Sequence, residues 1–431
     1  MATANHAAWF RQAKSPLEVG PADVGKPGAN EVLVQNRAVA MNPIDWKIQN
    51  GAFPAGSLPR ILGQDVSGDI VEVGEGVTQF RKGQRVLAHA VGLATNEARH
   101  GGFQEYTVVP TVGCCVIPNG MKYEEACVLP LAISTAGIGL FHEDRLGLMS
   151  PVDAAEKGHP EQEAILVWGG SSSIGAAAIQ LAVAAKYHVI ATASPPNFDL
   201  CKSLGASDVF DRSSLGIVGD LTAALQKYTC RGAFDAIATR DTQLNVAQVL
   251  AQLGGGRMAV ALPPIEELPA TVQVNGIFAV SILQQDKALG KAIYADFLPR
   301  ALEQDLIKPA PPSDVVGHGV EHIQGALEKL RAGVSGSKVV ITLGSRSIIN
   351  TTILERRAII MVKSGTRDPA RGNYAATSEQ TQEENGRSCA PGLPLEHILY
   401  ASRMADVGKI NAPFPMPQLL SGRHQAVKEG D

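Results

Sequence analysis

The chain has 431 residues, 45% of them hydrophobic and 19% charged, which is enough apolar material for a sizeable core and enough length for about two domains. Its formal net charge of −4 argues against nucleic acid as the main partner. No uninterrupted apolar run approaches the ~20 residues that span a bilayer. The first residues, Met1 to His6, lack the basic and apolar regions of a secretory signal. The expectation is a cytoplasmic protein with neither nucleic-acid nor membrane partner. The six cysteines, Cys114, Cys115, Cys127, Cys201, Cys230 and Cys389, form no C-x-x-C pair. They indicate neither a zinc knuckle nor a redox motif and fit reduced thiols.

Residues 1 to about 130 read as short strands punctuated by glycine, which suggests a small barrel or sandwich. The strands are Glu31–Ala40, Val66–Val73, Arg85–His89 and Gln104–Val109. Tyr123–Phe141 reads as helical, with its acidic residues at the N-terminal end and Pro130 dividing it. Glu143–Glu163 is polar with Pro151, Gly158 and Pro160 and reads as a surface loop.

From Ala164 the pattern alternates strand and helix, which implies a parallel sheet with right-handed crossovers. The expected strands are Ile165–Trp168, His188–Ala193, Asp208–Phe210, Phe234–Thr239, Arg257–Leu262 and Ile277–Ile282, the last a candidate dimer edge. Lys287–Leu306 is an amphipathic helix, Val320–Ala332 another, and Gly336–Leu343 a final strand. Ser364–Pro391 is polar and low in apolar residues. Such a composition cannot offset its ordering entropy, and disorder is expected there.

The chemistry centres on Ile165-Leu-Val-Trp-Gly-Gly-Ser-Ser-Ser-Ile-Gly175 and the alanine-rich run that follows. A buried strand, a small-residue turn and a helix form the opening of a dinucleotide site. The helix N-terminus offers free N–H groups and partial positive charge to a pyrophosphate. The fingerprint G-x-G-x-x-G reads as Gly170-x-Ser172-x-x-Gly175, with Ser171, Ser173 and Ile174 between, and the Ser172 hydroxyl is itself a candidate phosphate donor. An ordinary strand-to-helix turn fits the same residues. Ligands in such sheets bind at the carboxyl ends of the strands, which puts Ser194 and Leu262 on the same rim. In NAD-specific sites a carboxylate ends the second strand and binds the ribose 2′-hydroxyl. Here that place holds Ala193-Ser194-Pro195-Pro196-Asn197. Hydroxyl and amide donors accommodate a 2′-phosphate, with Lys202 and Arg212 adding positive charge downstream. The cofactor expected is NADPH. A plain turn at 194–197 with Lys202 as a solvated helix residue is the bland alternative.

Residues 1–344 resemble the medium-chain dehydrogenase/reductase superfamily, and within it the enoyl-reductase and quinone-reductase-like members, including fungal trans-acting enoyl reductases. The resemblance rests on Asn42-Pro-Ile-Asp-Trp-Lys47, Leu62-Gly-Gln-Asp-Val-Ser-Gly68, Val71-Glu-Val-Gly74, Gly170–Gly175, Ser194-Pro-Pro-Asn197 and Lys202-Ser-Leu-Gly-Ala206. It implies an α/β fold: a GroES-like β-barrel catalytic domain, residues 1–133 and 290–345, around a Rossmann doubly wound parallel sheet, residues 134–289. Residues 346–431 then form an atypical extension without a family counterpart.

The resemblance also implies that Asn42, Asp45 and Lys47 lie beside nicotinamide and substrate, with Lys47 a cation for an enolate or a phosphate. Lys47 also reads as a solvated loop lysine. Two roles fit Asp45: orienting Lys47 or capping the following turn. Thr135 matches a family position near the nicotinamide; bonding back to its own helical turn is the alternative. Zinc-dependent relatives carry cysteine in the loop holding Asn42–Asp45 and Gly-His-Glu where this chain has Gly63-Gln64-Asp65. They also carry clustered cysteines in a lobe where Val91–Gly102 has none. His89 and His100 alone do not make a tetrahedral set, so no metal is expected. Close relatives have tyrosine after Phe-Asp at the phosphate pocket; here the residue is Arg212. The implied function is NADPH-dependent reduction of an activated C=C in secondary metabolism, on a small-molecule or acyl-thioester substrate, with a polyketide synthase as a candidate partner. The chain is expected as a monomer or homodimer. The alternatives are an NADPH:quinone reductase and a non-catalytic nucleotide-binding relative.

Overall fold

The computed structural model describes residues 4–158 and 162–344; the disorder expected for Ser364–Pro391 lies outside the described residues. The first part of the chain is antiparallel. Its strands are β1 (Asn5–Phe10), β2 (Glu18–Ala22), β3 (Glu31–Ala40), β4 (Arg60–Ile61), β5 (Asp65–Val73), β6 (Arg85–His89), β7 (Tyr106–Pro110) and β8 (Cys114–Val116), with helix α1 (Pro43–Gln49) after β3. β1 lies between β2 and β4. β3 pairs with β5 on one side and with β7 in a second antiparallel pairing. These strands close over Phe10, Val32, Val66, Val86, Phe103 and Ile70. Inward-facing apolar residues at alternate positions make that core.

The apolar stretch that follows divides at Pro130 into α2 (Tyr123–Ala126) and α3 (Pro130–Phe141). Every residue of α3 is buried, as a helix apolar on all faces requires. Glu143–Glu163 is not all loop: it contains α4 (Pro151–Lys157). Ser150 caps this helix by accepting the Asp153 N–H, and Pro151 takes the first position, where its missing N–H costs nothing.

The parallel sheet comprises β9 (Glu163–Trp168), β10 (His188–Ala193), β11 (Asp208–Asp211), β12 (Thr229–Asp235), β13 (Gly256–Val260) and β14 (Val272–Gly276), with α5 (Ser173–Ala184), α6 (Phe198–Ser203), α7 (Ile217–Leu225) and α8 (Arg240–Gln252) crossing between them. Its order is β11-β10-β9-β12-β13-β14, which reverses between β9 and β12, so the switch point lies there. Two expected strands are corrected. The one read at Phe234–Thr239 ends at Asp235, whose carboxylate takes the N–H groups of Ile237 and Ala238 and turns the chain. The one read at Ile277–Ile282 is absent, and with it that candidate dimer edge. The sixth strand is Val272–Gly276, half exposed as an edge strand with one covered face. Continuous apolarity marks strands covered on both faces. Here the apolar run Ile277–Ile282 instead packs on α3: a Cβ at Gly139 would meet Ile277 Cδ1 at 2.7 Å.

The helix read at Lys287–Leu306 is also broken. α9 (Lys287–Lys291) passes into a π-turn at Ala292–Phe297 and then α10 (Leu298–Glu303). After β15 (Ser313–His318) and α11 (Ile323–Ala332), β16 (Lys338–Thr342) pairs antiparallel with β3 and returns the chain to the first lobe.

The π-turn sets Tyr294 against the start of α3. Tyr294 is fully buried, and its hydroxyl donates to Pro130 O at 2.5 Å and lies 2.8 Å from Ser134 Oγ. Ser134 Oγ is 2.8 Å from His89 Nδ1. A carbonyl only accepts, so the proton order is forced: His89 Nδ1–H to Ser134, Ser134 to Tyr294, Tyr294 to Pro130. His89 Nε2 is then a lone pair, and the NH2 end of the neighbouring Gln64 carboxamide, 3.5 Å away, fits it better than the oxygen. Removing one buried donor strands its acceptors. Tyr294→Phe is therefore expected to lower stability by about 1–3 kcal/mol, read as a shifted urea midpoint at unchanged m-value.

Candidate active site

At the switch point the sequence Gly169-Gly-Ser-Ser-Ser-Ile-Gly175 makes a tight turn into α5. Gly169 has φ +80°, a conformation that L side chains resist. Gly175 answers to space: a Cβ there would sit 2.2 Å from Gly169 O. The turn is tied to β10, since Gly169 N–H donates to Thr192 Oγ1 and Gly170 N–H to Thr192 O. Ser172 is the N-cap. Its Oγ accepts the Gly175 N–H at 3.1 Å and donates to Gly169 O at 2.8 Å. The Ser172 proton is therefore committed inside the turn, contrary to its reading as a phosphate donor. Ser171, Ser173 and Ile174 are part-exposed around it. The amides of Ser173 and Ile174 are first-turn donors, which have no intrahelical partner. These features make a cradle that fits a pyrophosphate.

The neighbouring carboxyl ends form the rest of the rim. Ala193 of β10 is in register with Asp211 of β11, so Ser194 and Arg212 leave adjacent strands. Arg212 and Lys202 are exposed, and neither side chain has a hydrogen-bond or ion-pair partner among the described residues. Asp211, the carboxylate beside them, accepts from Ser213 N and Oγ; the Ser213 hydroxyl holds its pKa below the usual value. Asn197 donates both amide hydrogens within the protein, to Ser194 Oγ and Ser335 Oγ. That leaves it an acceptor at this rim rather than the amide donor read from sequence. Leu262 follows β13 and is half-buried against the apolar layer beneath the sheet. Thr135 lies on buried α3 and donates to Leu131 O at 2.7 Å, the helix back-bond that was its alternative reading.

The residues named from Asn42 to Lys47 divide. Asn42 and Asp45 belong to a buried cluster. Asp65, fully buried, accepts from Leu131 N at 2.6 Å and from Asn42 Nδ2 at 2.8 Å, and pairs with Lys338 Nζ at 2.9 Å. Lys338 also donates to Asn42 Oδ1 at 2.6 Å. Asp45 accepts from Asn42 N and Gly63 N; it caps α1 and does not reach Lys47. Both polar ends of Asn42 and both oxygens of Asp45 are thus held by protein; for Asp45 this is the capping role, one of the two read from the sequence, and not the orienting of Lys47. Lys47 is half-buried, with its ammonium 5.8 Å from the centre of the Trp46 ring. Partial burial lowers its pKa.

The sequence reading missed Asp65 and Lys338 as a pair, because 273 positions separate partners whose meeting depends on β16 docking beside β3. Among the described residues no three His, Cys, Asp or Glu side chains converge as a metal set. His89 is held by Ser134, and His100 lies 3.0 Å from Glu31 Oε1.

An antiparallel lobe closed by β16, with a dinucleotide cradle at the switch point of a parallel sheet, defines a two-lobed dinucleotide-binding oxidoreductase. Residues 28–119 match the model of the alcohol dehydrogenase GroES-like domain. The chain is 41% identical over 340 residues to the zinc-binding alcohol dehydrogenase domain-containing protein cipB of Emericella nidulans, across 79% of this chain and 98% of that one. It is 37% identical over 346 residues to the trans-enoyl reductase himH of Aspergillus japonicus, across 80% and 98%. A solved alcohol dehydrogenase superfamily protein from Novosphingobium aromaticivorans shares the fold with TM-score 0.64 at 24% identity, across 79% of this chain and 100% of that one. The chain belongs to the medium-chain dehydrogenase/reductase superfamily, in its enoyl-reductase-like branch.

Two buried groups of this site titrate against each other. Burial pushes Asp45 from 3.8 up to about 7, with the like charge of Asp65 adding to it and the two amides opposing. Burial pushes His89 from 6.5 down to about 4. Between pH 4 and 6.5 the folded protein holds a proton on Asp45 that the unfolded chain releases, so this group lowers stability as pH rises. Over the same window the unfolded chain holds a proton on His89 that the folded protein refuses, so His89 raises stability as pH rises. The slopes cancel at about 1.4 kcal/mol per pH unit each. Asp45→Asn is expected to make the urea midpoint climb from pH 4.5 to 6.5. His89→Gln is expected to make it fall.

Proposed function

We propose that the chain is an NADPH-dependent reductase of an activated carbon–carbon double bond, in an enoyl thioester or enone, working in secondary metabolism without zinc. The observation that carries this reading is the rim at the ends of β10 and β11. It presents Ser194 where an NAD site needs a carboxylate, and Arg212, exposed, leaves the adjacent strand; Lys202, also exposed, follows on α6. A 2′-phosphate suits that chemistry, because a guanidinium fork and hydroxyl donors bind phosphate oxygens well.

Bound at the cradle, the cofactor supplies hydride. The chain's own part is to hold and orient. The Ser173 and Ile174 amides receive the pyrophosphate at the start of α5, where the helix dipole favours negative charge. The part-exposed hydroxyls of Ser171 and Ser173 add donors beside them. Reduction of an enone or enoyl thioester develops charge on an enolate, which fixed cations and donors stabilise. Lys47, half-buried and without a carboxylate partner among the described residues, is the group assigned to that charge. The Asn42–Asp65–Lys338 cluster fixes the loop from which α1 starts and so positions Lys47. Conjugate reduction spreads its developing charge over an enolate and so depends less on a Lewis acid than carbonyl reduction does. Among the described residues no tetrahedral set of thiolate and imidazole ligands converges. The trans-enoyl reductase name of the relative himH supports the double-bond reading; a polyketide assembly as the source of the acyl chain is part of the same proposal.

Changing Ser194 and Arg212 together to acidic residues is expected to weaken NADPH binding about a hundredfold, some 2.7 kcal/mol, and NADH far less. Equal loss for both cofactors defeats the phosphate assignment. Purified protein is expected to carry well under one zinc per chain by elemental analysis. In steady state, a crotonyl thioester should turn over with NADPH faster than quinones do. The reverse preference would establish a quinone reductase.

A further inference from the structure

The mouth of the rim is built from both lobes. Asn197 Nδ2 lies 3.0 Å from Ser194 Oγ and 2.9 Å from Ser335 Oγ. Ser194 leaves β10 of the parallel sheet, whereas Ser335 stands on the loop that leads into β16 of the antiparallel lobe. The loop packs on Asn197: a Cβ at Gly336 would sit 2.5 Å from Asn197 Oδ1. A carboxamide has two hydrogens, and here each serves one serine. Both serines therefore act as acceptors toward Asn197. Their own protons have no acceptor among the described residues and are free to donate.

The spacing suits a particular ligand. The two N–H bonds of a planar amide diverge by about 120°, so hydroxyls at 3.0 and 2.9 Å stand about 5 Å from each other. A phosphate monoester bridges such a gap with one oxygen on each hydroxyl at about 2.7 Å. Arg212, exposed at the end of the adjacent strand, and Lys202, exposed on α6, supply the counter-charge. The 2′- and 3′-hydroxyls of an NADH ribose are neutral, so they accept more weakly than phosphate oxygens and give the cations nothing to pair with.

We infer that Ser335 is a further specificity-determining residue: with Ser194 it forms a two-lobed hydroxyl clamp for the cofactor's 2′-phosphate, and Asn197 is the positioning residue that turns both hydroxyls outward as donors. This inference rests on the NADPH reading above and adds to it a contact from the opposite lobe. Asn197 acts through the serines and does not itself touch the phosphate.

The test is equilibrium binding, followed by nicotinamide fluorescence, of NADPH and NADH to the full chain and its variants. Ser335→Ala is expected to raise the Kd for NADPH about five- to tenfold and to leave NADH within about twofold. Ser335→Thr keeps the hydroxyl and is expected to restore NADPH binding. Asn197→Ala is expected to reproduce the selective loss, and adding Ser335→Ala to it to cost little more, because the two act as one unit. Asn197→Asp replaces the donor with a carboxylate that takes both serine protons, and the NADPH loss is expected to be the largest of the set. If Ser335→Ala leaves the NADPH/NADH ratio unchanged in a chain that prefers NADPH, the clamp is wrong while the cofactor assignment stands. If the unaltered chain shows no preference for NADPH, both are wrong.

Discussion

The buried carboxylate of Asp65 is the constraint on which the two-lobed architecture depends. It lies on β5, takes the Leu131 N–H at the head of α3, binds the side chain of Asn42 ahead of α1, and pairs with Lys338 at the start of β16. A charge this deep is tolerable only when paired and fully hydrogen-bonded. Asp65 has a cation and two further donors, so its requirements fix four segments against one another. Loss of either charge strands the other in a dry interior, so these four segments are held to one arrangement.

A second layer of buried polar groups extends that junction along α3. The chain from His89 through Ser134 and Tyr294 to Pro130 O runs in one proton order, because its last member can only accept. The π-turn at Ala292–Phe297 is what carries Tyr294 to this place. An irregular turn inside a helix commonly marks such a local demand.

The rim shows how small residues do chemical work in this fold. Ser172 closes the turn with its own hydroxyl and leaves its neighbours to face outward. Asn197 gives its hydrogens to two serines and so decides which way their protons point. Each case is a question of direction along a hydrogen bond, which residue type alone does not answer.

Much of the fold was legible in the sequence. β3, β6 and β10 follow from unbroken apolar or alternating runs between turn residues, because strand periodicity is a local property. The cradle Gly169–Gly175 follows from the need for a tight turn before a helix, which glycine and serine state locally. The composition of 194–197 marks the missing carboxylate in the same way. The strand at Val272–Gly276 escaped, because an edge strand is covered on one face only and its pattern is weak, while the more apolar Ile277–Ile282 belongs to the packing of α3. The partners of Asn42 and Asn197 also escaped, and the sequence left two roles open for Asp45. Their residue types advertise polar chemistry, but whether a polar atom faces a cleft or another side chain depends on what the fold brings beside it. Lys338 meets Asp65, and Ser335 meets Asn197, only after the last strand docks on β3. Short-range patterns therefore determined the elements and the cradle, and the long-range return of the chain decided which polar groups are bound within the protein and which stay free to bind a ligand.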